Sequence, residues 1–83
     1  MLNILYFARL RDQLDTDKEQ LELPENIQTV GQLRDHLCAR GDQWQNALTA
    51  KGIFIAVNQE VVQDPTELNG DEEVAFFPPV TGG

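Results

Sequence analysis

The 83-residue chain contains no serine, one histidine (His36) and one cysteine (Cys38). A Ser-His-Asp triad and a zinc constellation cannot be assembled from that set, and a lone cysteine excludes an internal disulfide. Basic residues are scarce: six Lys and Arg stand against 14 Asp and Glu, for a net charge of −8. Phosphate backbones bind basic faces, so no nucleic acid partner is expected. The acidity suits encounter with a basic protein surface, and it serves solubility equally well. No apolar run approaches the ~18 residues of a membrane span. The opening Leu2-Asn3-Ile4-Leu5-Tyr6-Phe7 lacks the length and basic start of a signal peptide. No membrane partner is expected, and the expected location is cytoplasmic. No P-loop or Gly-x-Gly-x-x-Gly pattern occurs. Without a nucleophile–base pair, a metal site or a nucleotide cradle, the chain alone is expected to have no turnover, so any catalysis requires a partner's active site.

What is present describes one small folded domain. Hydrophobic content of 41% argues against disorder, and the length allows a single, modestly stabilising core. Residues 2–8 read as a strand, with Leu2, Ile4 and Tyr6 on one face and Asn3, Leu5 and Phe7 on the other. Residues 9–18 form a polar connection with a helical turn around Leu10 to Leu14. Glu19 to Leu23 alternates as a second strand, stopped by Pro24 and paired with the first as an antiparallel hairpin. Thr29-x-x-Gln32 matches a capping box, and Val30, Leu33 and Leu37 recur at helical spacing, so the main helix begins at Thr29. Gly41 sits where a C′ glycine would end it. Asp42 to Ala50 suits a short second helix. Ile53 to Val57 is a nearly continuous apolar strand of the kind buried on both faces. Asn58-Gln59-Glu60 turns into a brief Val61-Val62 strand, and Asn69-Gly70-Asp71 precedes a last strand over Glu72 to Phe77. Glu72-Glu73 reads as solvated charge, His36 as a solvated helix residue, and Cys38 and Trp44 as packing residues.

The order is β-β-α-β-β-β, an α+β fold in which one main helix covers one face of a single sheet. Parity then sorts the strands. Leu2, Ile4, Tyr6, Val74 and Phe76 face the helix, while Leu5, Phe7 and Phe77 face outward beside Asn3 and Glu73. An uncovered face with two phenylalanines and a leucine reads as a protein interface, unless residues 9–18 or a tail cover it.

The sequence closes on Pro78-Pro79-Val80-Thr81-Gly82-Gly83. Pro78 lacks an N–H for ladder pairing, so the sheet is expected to end at Phe77 and a tail over 78–83 to leave it. Two prolines favour an extended segment that loses little entropy when inserted into a partner, and the tail spans roughly 20 Å. Glycines at its tip fit a channel that excludes side chains. A bare carboxylate on Gly83, activated as an acyl-adenylate, would be an unhindered electrophile. A Gly-Gly end alone also suits a simple frayed terminus.

Ile4-Leu5-Tyr6-Phe7-Ala8-Arg9, Val57-Asn58-Gln59, Gly70-Asp71-Glu72-Glu73-Val74 and Phe76-Phe77-Pro78-Pro79-Val80-Thr81-Gly82-Gly83 together resemble the sulfur-carrier subunits of molybdopterin synthase. These are ubiquitin-like β-grasp proteins, and the resemblance runs end to end. It implies a β-grasp domain over 1–77 and a functional tail over 78–83. It implies that an ATP-using, ubiquitin-activating-like adenylyltransferase adenylates Gly83 and that a persulfide sulfur donor converts it to a thiocarboxylate. The large synthase subunit would supply the active site in which Gly83 gives sulfur to cyclic pyranopterin monophosphate. Two transfers would build the molybdopterin dithiolene within a heterotetramer. By position, Phe7, Val61 and Phe77 would be the docking residues, and no cofactor would be stably bound. A sulfur carrier for thiazole or tRNA thiolation, a modifier conjugated through Gly83 and a non-covalent binding module remain as alternatives.

Overall fold

A computed structural model describes residues 1–78. Strand β1 (Leu2–Tyr6) leads into the short helix α1 (Arg9–Leu14) and returns as β2 (Lys18–Leu21). Next come α2 (Val30–Cys38), α3 (Asp42–Leu48), β3 (Phe54–Val57), β4 (Glu60–Val62) and β5 (Glu73–Phe77). The sheet order is β2-β1-β5-β3-β4, with β1 and β5 parallel and the other neighbours antiparallel. A central parallel pair requires a crossover, which the segment from α2 through β4 supplies.

The apolar alternation of β1 and β5 directs Leu2, Ile4, Tyr6, Val74 and Phe76 into the core, all essentially fully buried. Val30, Leu33 and Leu37 of α2 pack on them, joined by Leu10 and Leu14 of α1 and by Ala47 and Leu48 of α3. The polar connection expected over 9–18 is therefore a helix with two core anchors. Leu10 and Leu14, four apart, share one face of its single turn and a half.

Helix α2 starts as its sequence dictates. The Thr29 hydroxyl accepts the Gln32 N–H at 3.2 Å, and the Gln32 side chain accepts the Thr29 N–H at 3.2 Å. The segment before β5 completes the cap, because Val30 and Gly31 donate to the carbonyls of Thr66 and Asp64 at 2.9 and 3.0 Å. Arg34 reaches back to hold Asp64 with two hydrogen bonds of 2.9 and 2.8 Å. A Cβ at Gly31 would lie 3.1 Å from the Cβ of Asp64, so the helix and this strap approach as closely as glycine allows.

Gly41 does not close α2: Ala39 is the C-cap in ordinary right-handed geometry, and Gly41 opens α3 as its N-cap with φ 152°. The bend between two abutting helices needs that glycine more than the end of the first helix does. Strand β2 stops at Leu21 rather than Leu23, although Leu23 still packs against the core. Strand β3 is not buried on both faces, since all the helices lie on one side and Phe54 points away from them, 43% exposed. Glu72 is not solvated; it lies buried just before β5, where its carboxylate accepts the N–H groups of Asn69, Gly70 and Asp71 at 2.7, 2.9 and 3.2 Å.

Candidate functional site: the outer face of the sheet

Register builds the outer face row by row. Leu5, Ala75, Ala56 and Val61 are successive cross-strand partners on β1, β5, β3 and β4, and they form one row across four strands. The two central alanines make a shallow floor, because methyl groups leave room that larger side chains would fill. Phe77 and Phe54 oppose each other in the next row, with rings stacked at 5.7 Å and 26°. Phe7 follows β1, tied to β5 by its N–H to the Phe76 carbonyl at 3.1 Å. Phe7 and Val61 are 48% and 58% exposed. Gln59 and Glu73 join Phe7, Val61 and Phe77 around the concavity.

Phe7, Val61 and Phe77, singled out in the sequence, thus share this one face. Segment 9–18 leaves it open apart from Lys18, which stands opposite Leu5 at the edge of the face, since Leu10 and Leu14 turn to the helix side. Two members escaped the sequence reading. Phe54 sat in a run apolar enough to read as doubly buried, yet counting alternate residues from Ile55 would have placed it outward. Gln59 reads in the sequence only as a turn residue. Of the predicted tail, Pro78 follows the end of β5 half-buried, whereas Pro79, Val80, Thr81, Gly82 and Gly83 lie outside the described residues.

The opposite side of the sheet is occupied by structure. Tyr6 donates its hydroxyl proton to Glu19 at 2.8 Å, and Arg40 grips both oxygens of the same carboxylate at 2.8 Å each. The Arg40 guanidinium lies 4.5 Å above the Trp44 ring, and Trp44 meets Tyr6 edge-on. Arg40 first, with help from the Tyr6 hydroxyl, holds the Glu19 carboxyl below its ordinary value. Burial and Glu19 push the Tyr6 phenol up. Cys38 packs at the core margin, where burial raises its thiol and the neighbouring Asp35 raises it further, disfavouring a reactive thiolate. His36 is exposed. Among the described residues no group of His, Cys, Asp and Glu is arranged to hold a metal, and no helix is long and apolar enough to cross a membrane.

A mixed five-stranded sheet with its helices on one face and an apolar opposite face defines a ubiquitin-like β-grasp protein. Residues 4–83 match the ThiS family, and the chain belongs to that family. It is 40% identical over 83 residues to the molybdopterin synthase sulfur carrier subunit of Haemophilus influenzae, covering all of both chains. Among solved structures it resembles a Pyrococcus furiosus protein provisionally described as molybdopterin converting factor subunit 1. That match has a TM-score of 0.79 and 32% identity, over 95% of this chain and 97% of the other. The SAMP1 protein of Haloferax volcanii shares the fold with a TM-score of 0.81, at 22% identity over 99% and 98% of the two chains.

Proposed function

We propose that this chain is the sulfur-carrier subunit of a molybdopterin synthase and that the carboxylate of Gly83 carries the sulfur. The observation that bears most weight is the end-to-end match, at 40% identity, to a protein of that name. A platform with an apolar outer face suits a carrier that works docked on a partner.

In this reading an adenylyltransferase joins Gly83 to AMP, which turns a poor electrophile into a good one. The outer sulfur of a persulfide donor displaces the AMP to form an acyl disulfide, and a thiol then cleaves its S–S bond, releasing the thiocarboxylate and ending as a disulfide with the donor. The large synthase subunit then docks on the face formed by Phe7, Val61 and Phe77, while Pro78, Pro79, Val80, Thr81 and Gly82 carry Gly83 into its active site. Sulfur passes there to cyclic pyranopterin monophosphate, two deliveries making the dithiolene in a cytoplasmic heterotetramer. This chain contributes position and reach. ATP is consumed by the activating enzyme, and nothing need stay bound to the carrier.

The test is intact-mass analysis after incubation with the activating enzyme, ATP and a sulfur source. The full chain is expected to exchange one oxygen for sulfur. Chains lacking Gly83, or extended by one residue, are expected not to, because one residue displaces the reacting carbonyl by ~3–3.5 Å, about the span of a productive attack distance. Equal sulfur gain by the Gly83-deleted chain would overturn the proposal. Conjugates of higher mass in cells, in place of the thiocarboxylate, would assign the chain to protein modification instead.

A further inference from the structure

The β3–β4 connection is a two-residue hairpin turn, Asn58-Gln59, closing on the Val57–Glu60 pair. Both turn residues have positive φ, 50° and 72°, as a type I′ turn requires. Asn is at home there, but the second position strongly favours glycine, and a long L side chain adopts that backbone region only under constraint. The constraint is visible. Asn58 donates its N–H to the Glu73 carbonyl at 2.8 Å, and its side-chain Oδ1 accepts the Glu73 N–H at 3.0 Å. The turn is thereby clamped to the start of β5. Backbone strain held in place by surrounding contacts is characteristic of positions where a side chain has a task.

The task is indicated by where Gln59 stands. It is exposed, yet it borders the apolar concavity beside Val61, Glu73 and Ala75. Glycine would relieve the strain but remove the turn side chain that lines the concavity, since Asn58 is turned to Glu73 instead. An uncharged amide offers one acceptor and two donors, which matches a peptide group; an apolar floor with a polar rim is the anatomy of a specific protein interface.

We infer that Gln59 is a specificity-determining residue of the outer face, its side-chain amide hydrogen-bonding a main-chain peptide group of the large synthase subunit at the rim of the apolar dish. The inference rests on the docking role proposed above for that face. Buried at the edge of the contact, such a bond discriminates against surfaces that cannot return it.

Two substitutions separate backbone strain from side-chain recognition. Gln59→Gly frees the turn and removes the amide; its Tm is expected to be unchanged or raised, while Kd for the purified large subunit rises about tenfold, the equivalent of ~1.4 kcal/mol. Gln59→Met keeps the length and the backbone demand without the amide; its Tm is expected to stay near that of the parent with a similar loss of affinity. Unchanged affinity in either variant would overturn the assignment, and so would a marked fall in the Tm of Gln59→Gly, which would make the glutamine a structural residue. Phe77→Arg, measured alongside, keeps the two ideas apart. If it too binds normally, the docking reading of the face has failed; if it alone loses binding, only the role of Gln59 has.

Discussion

Glu72 shows how much a single side chain can organise. Taking a carboxylate out of water raises its pKa, but three backbone N–H groups converge on this one and hold it below its ordinary value. The same bonds shape the 69–71 turn that starts β5, and so fix the strand from which the tail departs. A carboxyl whose pKa is lower folded than unfolded contributes its full stabilisation above the unfolded value, near 4.5, and loses it as pH falls through the folded value. Glu72→Gln mimics the protonated state. At neutral pH it should cost about 2 kcal/mol, in the range for hydrogen bonds to a charged group, and several degrees of Tm. The gap between the two proteins should close as the pH is lowered below the carboxylate range. Melting curves across pH measure this, and a gap that persisted in acid would assign the cost to packing. The sequence hid this residue because Glu72-Glu73 is an ordinary acidic pair until the turn folds around one member.

At the scale of elements, β5 carries both halves of the protein on alternate side chains. Phe76 is fully buried and stacks on Tyr6 at 5.9 Å, while its neighbour Phe77 lies on the outer face against Phe54. Phe76→Ala should therefore cost ~3–5 kcal/mol of stability, the usual price of an emptied aromatic core position. Phe77→Arg should leave a folded domain and cost ~2 kcal/mol or more in binding the large subunit. Denaturant titration of both variants, with binding measured on the folded one, tests the contrast; unfolding caused by Phe77→Arg would put that ring in the core. This two-faced logic is legible in the sequence, because Asn3 and Glu73 mark the outward parity of β1 and β5 and one helix cannot cover both sides of a sheet. The capping box of α2 was equally plain. Helix α1 reads in the sequence as no more than a turn, because six residues cannot stabilise a helix alone; its formation depends on Leu10 and Leu14 finding a core that local sequence does not display. The outward place of Phe54 was lost for the reverse reason, since a continuous apolar run masks its own alternation.

At the scale of the whole molecule, charge is the remaining determinant. Among the described residues, Arg34 pairs with Asp35 and Asp64 and Arg40 with Glu19, so most of the 14 acidic side chains lie outside local ion pairs. The outer face itself is largely apolar, with Glu73 at its margin. In the proposed docking, contact and long-range field are divided: apolar rings would hold the partner, while the net charge of −8 would set how fast a basic partner arrives. Salt distinguishes the two, because the screening length falls from ~30 Å at 0.01 M to ~10 Å at 0.1 M and ~3 Å at 1 M. The association rate with the large subunit should drop by about tenfold or more over that range, while the dissociation rate, set by Phe7, Phe77 and Val61 leaving their contacts, should change little. Stopped-flow mixing at several ionic strengths resolves the two rates. An association rate indifferent to salt would mean that the acidity serves solubility alone, and a dissociation rate that climbed steeply with salt would place ion pairs, rather than the phenylalanines, at the centre of the interface.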